Sequence, residues 1–532
     1  MEFRLAWARL VSIALIFVSS AAQQAHVFNE ELTVRRLTPH HTLSEFRFNL
    51  TVPTEDPNHG VGFPNLLLEL VSSNQVQKIF FVLTESLWRH EKYGPPPQPA
   101  SPTGAVVSVT FEGNASTLEK RWISLIHSMN GAFGTSITHI FPDTVKAGFE
   151  FSAAAPRESL CVENYTPWLK MLPCQSNGLV NLIKPLYNLS SVYRSLGFTY
   201  EKRCEKEKCW HEARLFAFTV YENADERVSA VVEAIEDYVT ASADRRCRVA
   251  TASKVRVLLD SKLGSKGQDG AVEFNGKKVQ DGVTVEVADP NIDISRNELF
   301  GVETTFGHKD KFAGRYIGVV KNRKSQSLRL TYTQVLPWWF SIYYHTATVS
   351  CGRLSGLELS KEKTIDVIKR FVPSIDRKRP AELVLQFTID GGSECQVNFE
   401  FEKKPLRLGE YPPDANHGLY VPAAKIVIQA KTKTTVYSNI LLAPLLVPDF
   451  SMPFNVICFV ATAISFAFST IHPSTTGSLL PVNGKLPEKK LWRTVLRLSL
   501  LVLLVGAGYM EYHSITLNAL RREIVKFFER VA

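Results

Sequence analysis

A charge-free apolar stretch near the C-terminus constrains this 532-residue chain more than any other feature. Residues 454 to 471 are FNVICFVATAISFAFSTI, and no Asp, Glu, Lys or Arg occurs between Asp449 and Lys485. About 20 apolar residues of helix cover a bilayer core, and the basic residues of 485–497 suit a cytosolic flank. The sequence predicts a transmembrane helix over 451–472. A buried core helix is the alternative, because Ser, Thr and Ala make the segment only moderately apolar.

The first 22 residues have the pattern of a secretory signal peptide. Arg4 and Arg9 precede the apolar run 10–18, and small residues follow. We expect cleavage after Ala22, although a buried N-terminal helix would give a similar pattern. A cleaved signal followed by one span makes 23–450 a lumenal body with type I topology.

The last segment, 473–532, is a basic tail. Within it, Leu498 to Met510 is free of charge for only 13 residues, which falls between a core helix and a span. A second membrane segment over 495–512 and an interfacial helix on the cytosolic leaflet are both open. Of the net charge of +9, five units lie beyond Ile471. The body is therefore not basic enough for a nucleic-acid binder.

Alternating apolar and polar residues predict strands in the body. Val107, Val109 and Phe111 alternate with polar residues, as do the apolar residues of 328–332. Apolar positions of 383–389 and 397–401 flank Asp-Gly-Gly-Ser, a pattern that predicts a β-hairpin. We expect a mainly β, sandwich-like body with a few helices, in one unit or in two at about 23–255 and 285–450.

Two helices stand out. Ser116 and Glu119 form a capping-box pattern before an apolar face, and Gly131 is placed to end that helix. A second helix is predicted from Asp225. The segment from Ser261 to Gly282 is expected to be a loose loop.

Seven cysteines precede the predicted span, and an odd number in an oxidising compartment implies a free thiol or an intermolecular bridge. Cys204 and Cys209 are natural local partners, with a zinc site as the weaker alternative. Cys351 and Cys395 share strand parity with core residues and are candidates to pair. Four glycosylation sequons support a lumenal body, and they begin at Asn49, Asn114, Asn164 and Asn188.

Catalytic signatures do not occur in the sequence. It contains no GxSxG, HExxH, Walker A, GxGxxG or CxxC motif. We therefore predict no catalytic residue, no metal site and no cofactor, and we favour a scaffold or binding role. A site assembled from distant residues stays open.

Several long strings resemble the PIG-T family, a non-catalytic subunit of the GPI transamidase of the endoplasmic reticulum. The first is CVENYTPW at 161–168 with LKMLPC at 169–174. Four further segments resemble family signatures and occur in the same order along the chain as in the family. They are Trp88-Arg89 with Tyr93 to Pro96, Pro337 to Thr346, Pro413 to Val421, and Pro448 to Cys458.

The resemblance implies a lumenal, mainly β scaffold in the endoplasmic reticulum membrane that holds together a complex attaching GPI to protein C-termini. Catalysis would belong to a caspase-like subunit, disulfide-linked through Cys161, with the other transamidase subunits as further partners. The remaining pairs would be Cys174 with Cys247, Cys204 with Cys209, and Cys351 with Cys395. GPI lipid and the proprotein C-terminal peptide would be indirect partners.

Other interpretations compete with this one. Cys161 would otherwise be in an ordinary intrachain bridge or be a buried free thiol. Asn416, His417 and Gly418 form either a turn with a structural histidine or a surface touching the protease subunit or the substrate peptide. The alternative function is a type I membrane receptor or adhesion ectodomain unrelated to GPI attachment. The family typically ends in one span and a short tail, so the long tail here leaves the number of spans open.

Overall fold

The computed structural model divides the chain into a body that ends at Val447 and a C-terminal unit that begins at Pro448. The residues that it describes are 27–54, 63–137, 144–156, 158–187, 191–205, 208–222, 225–241, 245–266, 272–290, 300–353, 360–362, 367–412, 414–429, 433–447, 451–476 and 498–506. The predicted signal peptide lies outside them.

The N-terminal half of the body is built on a ten-stranded sheet with the order β13-β9-β1-β2-β8-β7-β3-β4-β6-β5. Its pairs are antiparallel except that β9 lies parallel to both β1 and β13. The strands are β1 Val27–Thr38, β2 His41–Pro53, β3 Val76–Glu85, β4 Gly104–Phe111, β5 Val145–Ala147, β6 Glu150–Ala155, β7 Ser191–Glu205, β8 Lys208–Glu222, β9 Ala252–Leu258 and β13 Val283–Val287.

Five helices cover one face of this sheet and share its hydrophobic core. They are α1 Asn65–Asn74, α3 Leu118–Phe133, α4 Val162–Lys170, α5 Val180–Tyr187 and α6 Asp225–Val239. The short helix α2, His90–Tyr93, lies on the opposite face, where Trp88 and Tyr93 join a smaller core with Phe216 and Phe218. Burial of apolar side chains on both faces is what keeps so wide a sheet in place.

The C-terminal half of the body is a sandwich of two five-stranded sheets around a separate core. One sheet has the order β14-β15-β21-β17-β18 and the other β19-β20-β16-β23-β24. The strands are β14 Phe300–His308, β15 Ala313–Asn322, β16 Leu328–Leu336, β17 Phe340–Arg353, β18 Ser360–Glu362, β19 Ile368–Val372, β20 Ala381–Ile389, β21 Ser393–Lys403, β23 Lys425–Gln429 and β24 Lys433–Tyr437. A further pair joins β22 Leu419–Val421 to β25 Leu441–Ala443. These sheets confirm the prediction of a mainly β body.

The predicted hairpin of β20 and β21 is wrong in its pairing, although both strands exist. β20 pairs with β16 and β19, whereas β21 pairs with β15 and β17 in the other sheet. Each strand buries one apolar face, and those faces meet across the core. The turn at 390–392 is therefore a corner between sheets, and the carbonyl of Ser325 lies so close to Gly391 that a Cβ there would approach it to 2.4 Å.

The predicted helix over 116–131 exists with different ends. Asn114 rather than Ser116 caps the preceding short 3₁₀ turn, Ala115–Thr117, by accepting a hydrogen bond from the Ser116 N–H. The helix continues to Phe133. The next residue, Gly134, ends it by taking the left-handed conformation with φ of 61°. Gly131 thus lies inside α3. The helix predicted from Asp225 is confirmed as α6.

The predicted loose loop at 261–282 contains ordered structure instead. A short 3₁₀ helix, Ser261–Leu263, leads into a three-stranded sheet of β10 Gly264–Lys266, β11 Val272–Phe274 and β12 Lys277–Lys278. Phe274 is fully buried in the first core. Phe274, with Leu263 and Val279 packed against the same core, holds the described part of this segment against the body.

The apolar stretch forms helix α7, Ser451–Thr475, of which Phe454–His472 is long and apolar enough to cross a membrane. Residues 498–506 are also helical, with exposed leucines and valines. The rest of the predicted second segment at 495–512 lies outside the described residues.

Helix α2 also connects the two cores of the body. His90 Nε2 lies 3.2 Å from the carbonyl oxygen of Tyr437 on β24. A neutral imidazole in its Nε2–H tautomer donates a hydrogen bond to that oxygen. Burial lowers the pKa of His90 to about 4. The histidine is thus a neutral, buried link between the ten-stranded sheet and the sandwich.

Candidate functional site

The motif at 161–174 begins with an exposed free thiol. Cys161 directly precedes helix α4, in an extended conformation that places it at the N-cap. Its backbone N–H and its thiol both donate to Oδ1 of Asn164, each over 2.9 Å. The next residue, Val162, is 69% exposed. The thiol therefore lies at the surface on a backbone that the helix end fixes.

Asn164 holds this end of α4 against the neighbouring helix. Its amide nitrogen donates to the carbonyl of Phe133, the last residue of α3, and its side chain is only 1% exposed. Burying an amide in this way is tolerated because its donors and acceptor are satisfied.

Trp168 fixes the middle of α4 to the sheet. Its indole Nε1 donates to the carbonyl of Gly197 on β7 over 2.9 Å, and its ring packs against Phe48 and Tyr165. Gly197 has no room for a side chain, since a Cβ there would lie 2.4 Å from the carbonyl oxygen of Phe81. Close contact between β3, β7 and α4 therefore depends on this glycine.

The electrostatics of the thiol do not resemble those of a catalytic cysteine. Partial desolvation, followed by the hydrogen bond and negative charge of Glu163, raises the pKa of Cys161. Nucleophilic cysteines have a lowered pKa, from a nearby cation or base.

The other end of the motif is bonded covalently to the body. Cys174 forms a disulfide with Cys247, with a Cα–Cα distance of 5.7 Å. The segment that follows rests on a buried carboxylate, Glu30 of β1, which accepts from the Leu179 N–H at 3.2 Å. Ser253 Oγ and Tyr238 OH donate to the same carboxylate at 2.6 and 3.3 Å. Burial raises the pKa of Glu30.

Sequence reasoning missed Glu30. The signal that would have found it is strand parity, because Glu30 has the same parity in β1 as the buried residues Phe28 and Leu32. A carboxylate at an apolar position of an alternating strand indicates a buried polar network.

The structure contains two further disulfides. Cys204 and Cys209 face each other at the ends of β7 and β8, and Cys351 and Cys395 are directly opposite in β17 and β21. Besides Cys161, the other free cysteine among the described residues is Cys458 in α7. Within the described residues no group of three or more His, Cys, Asp or Glu side chains is placed to hold a metal ion.

The four sequon asparagines differ in environment. Asn114 is exposed and Asn49 is half-buried in β2, whereas Asn188 lies outside the described residues. The buried amide nitrogen of Asn164 is already bonded to Phe133, a geometry that argues against a glycan at this position.

The segment 414–418 forms a turn beside β22. Asn416 and His417 are exposed, and the His417 N–H donates to Asp414 Oδ1 over 3.3 Å. Gly418 is buried with φ of +89°, and a Cβ there would lie 2.4 Å from the carbonyl oxygen of Ala443. The glycine is required by the turn, while the asparagine and histidine project from it.

A cleft of about 490 Å³ lies beside the other end of α4. Its apolar lining includes Phe63, Leu66, Met171, Leu172 and Val249. Cys161 does not line this cleft, because its thiol is at the N-terminal end of α4.

The sequence is similar to proteins named as components of GPI transamidase. It is 24% identical over 527 residues to the "GPI transamidase component PIG-T homolog" of Schizosaccharomyces pombe, which covers 90% of this chain and 94% of the relative. It is 24% identical to the mouse (Mus musculus) "GPI-anchor transamidase component PIGT", over 83% of this chain and 88% of the relative. The "GPI transamidase component GPI16" of Saccharomyces cerevisiae is 23% identical, over 84% of this chain and 87% of the relative.

Solved structures match less closely. The collagen-binding subdomain of an Enterococcus faecalis surface protein covers 27% of this chain and 97% of its own at 11% identity, with a TM-score of 0.20. So low a score carries no argument about this fold.

A family model described as "Gpi16 subunit, GPI transamidase component" matches residues 11–236 and 226–499. These matches include the Cys161 motif, both cores of the body and α7. The chain therefore belongs to the Gpi16 family of GPI transamidase components.

Proposed function

We propose that this chain is a non-catalytic scaffold subunit of a GPI transamidase complex, with its body in the lumen of the endoplasmic reticulum and α7 as a type I anchor. It stabilises a caspase-like catalytic subunit and is linked to it by a disulfide through Cys161. The complex attaches GPI anchors to protein C-termini. The catalytic subunit acts on the GPI lipid and the substrate peptide, so the contact of both with this chain is indirect.

The observation that carries the proposal is the state of the body's cysteines. Six of the seven are joined in three disulfides, and Cys161 alone of the seven has an exposed thiol. A disulfide brings its two Cα atoms to within about 7 Å of each other. A partner bonded to Cys161 must therefore dock on the surface formed by the adjoining ends of α3 and α4.

The rigidity around Cys161 supports the same proposal. Asn164, Trp168 and the Cys174–Cys247 bridge hold α4 at its start, middle and end. A thiol on a fixed backbone loses little conformational freedom when it is joined to a docked partner in a disulfide. The raised pKa of the thiol also favours a structural bridge over covalent catalysis.

Electrophoresis of the native membrane complex tests the link. Under non-reducing conditions the wild-type chain should migrate as a heavier species that contains a caspase-like protease and that collapses with reductant. Cys161→Ser should abolish this species. Cys458→Ser is the matched control, because it removes the other exposed free cysteine of the described residues and should leave the heavier band intact.

The outcomes separate the parts of the proposal. If Cys161→Ser removes the band but the protease still co-purifies, the scaffold role stands and the bridge only reinforces it. If the wild-type chain never forms the heavier species, the covalent link is refuted. If no caspase-like protease co-purifies at all, the scaffold role itself is refuted.

We also propose that the exposed turn residues Asn416 and His417 contribute to a contact within the complex. The double change Asn416→Ala with His417→Ala keeps Gly418, so the turn itself is preserved. The expected result is weaker co-purification of partner subunits with an unchanged melting temperature of the chain. Unchanged co-purification would assign the turn a purely structural role.

A further inference from the structure

One end of the C-terminal sandwich presents three neighbouring loops, 309–312, 373–379 and 404–410, which we call the basic end. The loops are bonded to one another. The Lys403 N–H donates to the carbonyl of Phe312, Lys404 pairs with Asp376 at 2.6 Å, and Arg377 pairs with Glu410. They therefore form one surface of fixed shape.

Each loop exposes one large apolar side chain. Phe312 and Leu408 are both 58% exposed, and Ile375 is 44% exposed. The structure beneath the tips is rigid, since Arg377 stacks on the buried ring of Trp338 and the Lys404 N–H donates to the carbonyl of Trp339. Rigid loops that hold apolar tips in water do so at a cost in free energy.

The surroundings of these tips are strongly basic. The three loops contain seven Lys or Arg residues and three Asp or Glu residues, a net charge of +4. Within the described residues Lys378, Arg379 and Arg407 have no carboxylate at ion-pair distance, so their charges are available to an outside anion. The charged residues of the loops are Lys309, Asp310, Lys311, Asp376, Arg377, Lys378, Arg379, Lys404, Arg407 and Glu410.

Chain connectivity ties the basic end to the start of the membrane anchor. Tyr411, directly after the third loop, donates its hydroxyl to the carbonyl of Leu446. Leu446 is five residues before Ser451, the first residue of α7. The last residues of the body, which precede α7 in the chain, are thus bonded to the residue that follows the third loop.

We propose that the basic end is a lipid-contacting surface, on which Phe312, Ile375 and Leu408 enter the headgroup region while the surrounding lysines and arginines contact lipid phosphates. Apolar side chains with basic neighbours are the pattern of interfacial membrane binding, in which buried apolar area and attraction to phosphate groups add. The contact gives the body a second attachment to the membrane, in addition to α7.

Site-directed fluorescence on the full-length chain tests this surface. The chain, with Cys161→Ser and Cys458→Ser to remove its free thiols, is labelled with bimane through Phe312→Cys, Ile375→Cys or Leu408→Cys. It is reconstituted in nanodiscs of phosphatidylcholine with phosphatidylinositol, with and without doxyl-labelled lipid. Phe149→Cys is the matched control, because Phe149 is a 44% exposed apolar residue in the turn between β5 and β6.

The expected result is a blue-shifted emission and quenching by doxyl lipid at the three tips and neither at the control. Lys378→Glu with Arg407→Glu should reduce the quenching, and added salt should act in the same direction. Tip labels that behave like the Phe149→Cys label overturn the proposal. So does a blue shift without lipid quenching, because the tips would then be covered by protein.

Discussion

Asn164 illustrates how a residue's environment decides between two functions that its sequence allows. The sequon Asn164-Tyr165-Thr166 permits glycosylation, but the amide nitrogen that would carry the glycan is buried and donates to Phe133. Asn114 has the same sequence signal and an exposed side chain. We therefore expect a glycan on Asn114 and none on Asn164.

Mass spectrometry after enzymatic deglycosylation in heavy-oxygen water would test this expectation, since a released glycan leaves a labelled aspartate. A labelled residue at 164 would show that the α3–α4 contact is absent in the native chain. Separately, Asn164→Ala should cost about 1–3 kcal/mol, because it leaves the Phe133 carbonyl and the Cys161 N–H without their buried partner.

Glu30 makes a prediction about pH. Its pKa is raised by burial above the ordinary value of 4.5, so the folded chain binds a proton more tightly than the unfolded chain. Stability from this group therefore falls as pH rises from about 4.5 through the raised pKa. Glu30→Gln removes this dependence. The melting temperature of the variant relative to wild type should rise between pH 4.5 and 7.5.

Glu236→Gln provides a control of opposite sign. Lys277 lowers the pKa of Glu236, so that group stabilises the fold above about pH 4.5 and loses its effect as pH falls. The melting temperature of this variant relative to wild type should be level between pH 4.5 and 7.5 and should rise as pH falls below about 4.5. Its amplitude should be small, because the Lys277 side chain is 62% exposed. Parallel curves for the two variants would contradict our assignment of Glu30 as a buried carboxylate.

At the scale of elements, the packing of β7 against β3 depends on a glycine, Gly197, which has no side chain. A Cβ at Gly197 would meet the backbone of Phe81 and Val82 on the neighbouring strand, which cannot move without breaking ladder hydrogen bonds. We expect Gly197→Ala to destabilise the body by about 1–3 kcal/mol and to weaken the contact of Trp168 on α4 with β7.

Gly131→Ala is the matched control for that substitution. Gly131 lies inside α3, and a Cβ there would have open space. Alanine in a helix interior is favoured over glycine by about 0.5–1 kcal/mol, so this variant should melt at a higher temperature than wild type. Thermal unfolding of both variants measures the contrast. Equal melting temperatures would mean that β3 and β7 are less tightly packed than the structure indicates.

The strands predicted at 107–111, 328–332, 383–389 and 397–401 and the two predicted helices exist, because alternation and 3.6-residue periodicity are local signals. Their pairing partners were not predictable. The pattern of 383–401 identifies β20 and β21 but gives no information on whether their apolar faces lie side by side or face each other. Likewise the sequence indicated Gly131 as the end of α3, and only the packing of Met129 and Phe133 in the core extends the helix to Phe133.

The features of the candidate site likewise divide into those that local sequence predicts and those that depend on distant residues. Cys204 and Cys209 are close in sequence, so their pairing follows from local spacing, whereas Cys174 and Cys247 are 73 residues apart and only the resemblance suggested them. The position of Cys161 depends on α3, because Asn164, which accepts from its N–H and thiol, is itself bonded to Phe133, 31 residues earlier. No local pattern carries that information.

At the scale of the whole molecule, the two cores are linked through a helix of four residues. α2 places His90 against Tyr437, and it packs beside β14, where a Cβ at Gly301 would lie 2.5 Å from the Glu91 carboxylate. Because His90 is buried and neutral, its protonation must oppose folding of the joined body. This gives the interface between the cores a pH dependence that the sequence did not suggest.

The prediction follows from the two pKa values of His90. The histidine has an ordinary pKa of 6.5, which applies when the chain is unfolded, and a pKa of about 4 when it is folded. Its stabilising effect is complete above pH 6.5 and is lost as pH falls toward 4, by about 3 kcal/mol in total. His90→Gln retains an N–H donor for the Tyr437 carbonyl and does not titrate. The wild-type chain should therefore lose stability relative to this variant between pH 7 and 4.5.

Denaturant unfolding of the full chain at several pH values would measure the difference. His417→Gln, which changes an exposed histidine, serves as the control and should follow the wild type throughout. If His90→Gln also follows the wild type, His90 is protonated without cost and the link between the cores is open to water. If instead the two curves diverge only below pH 6.5, His90 is buried and neutral in the folded chain and its protonation opposes folding.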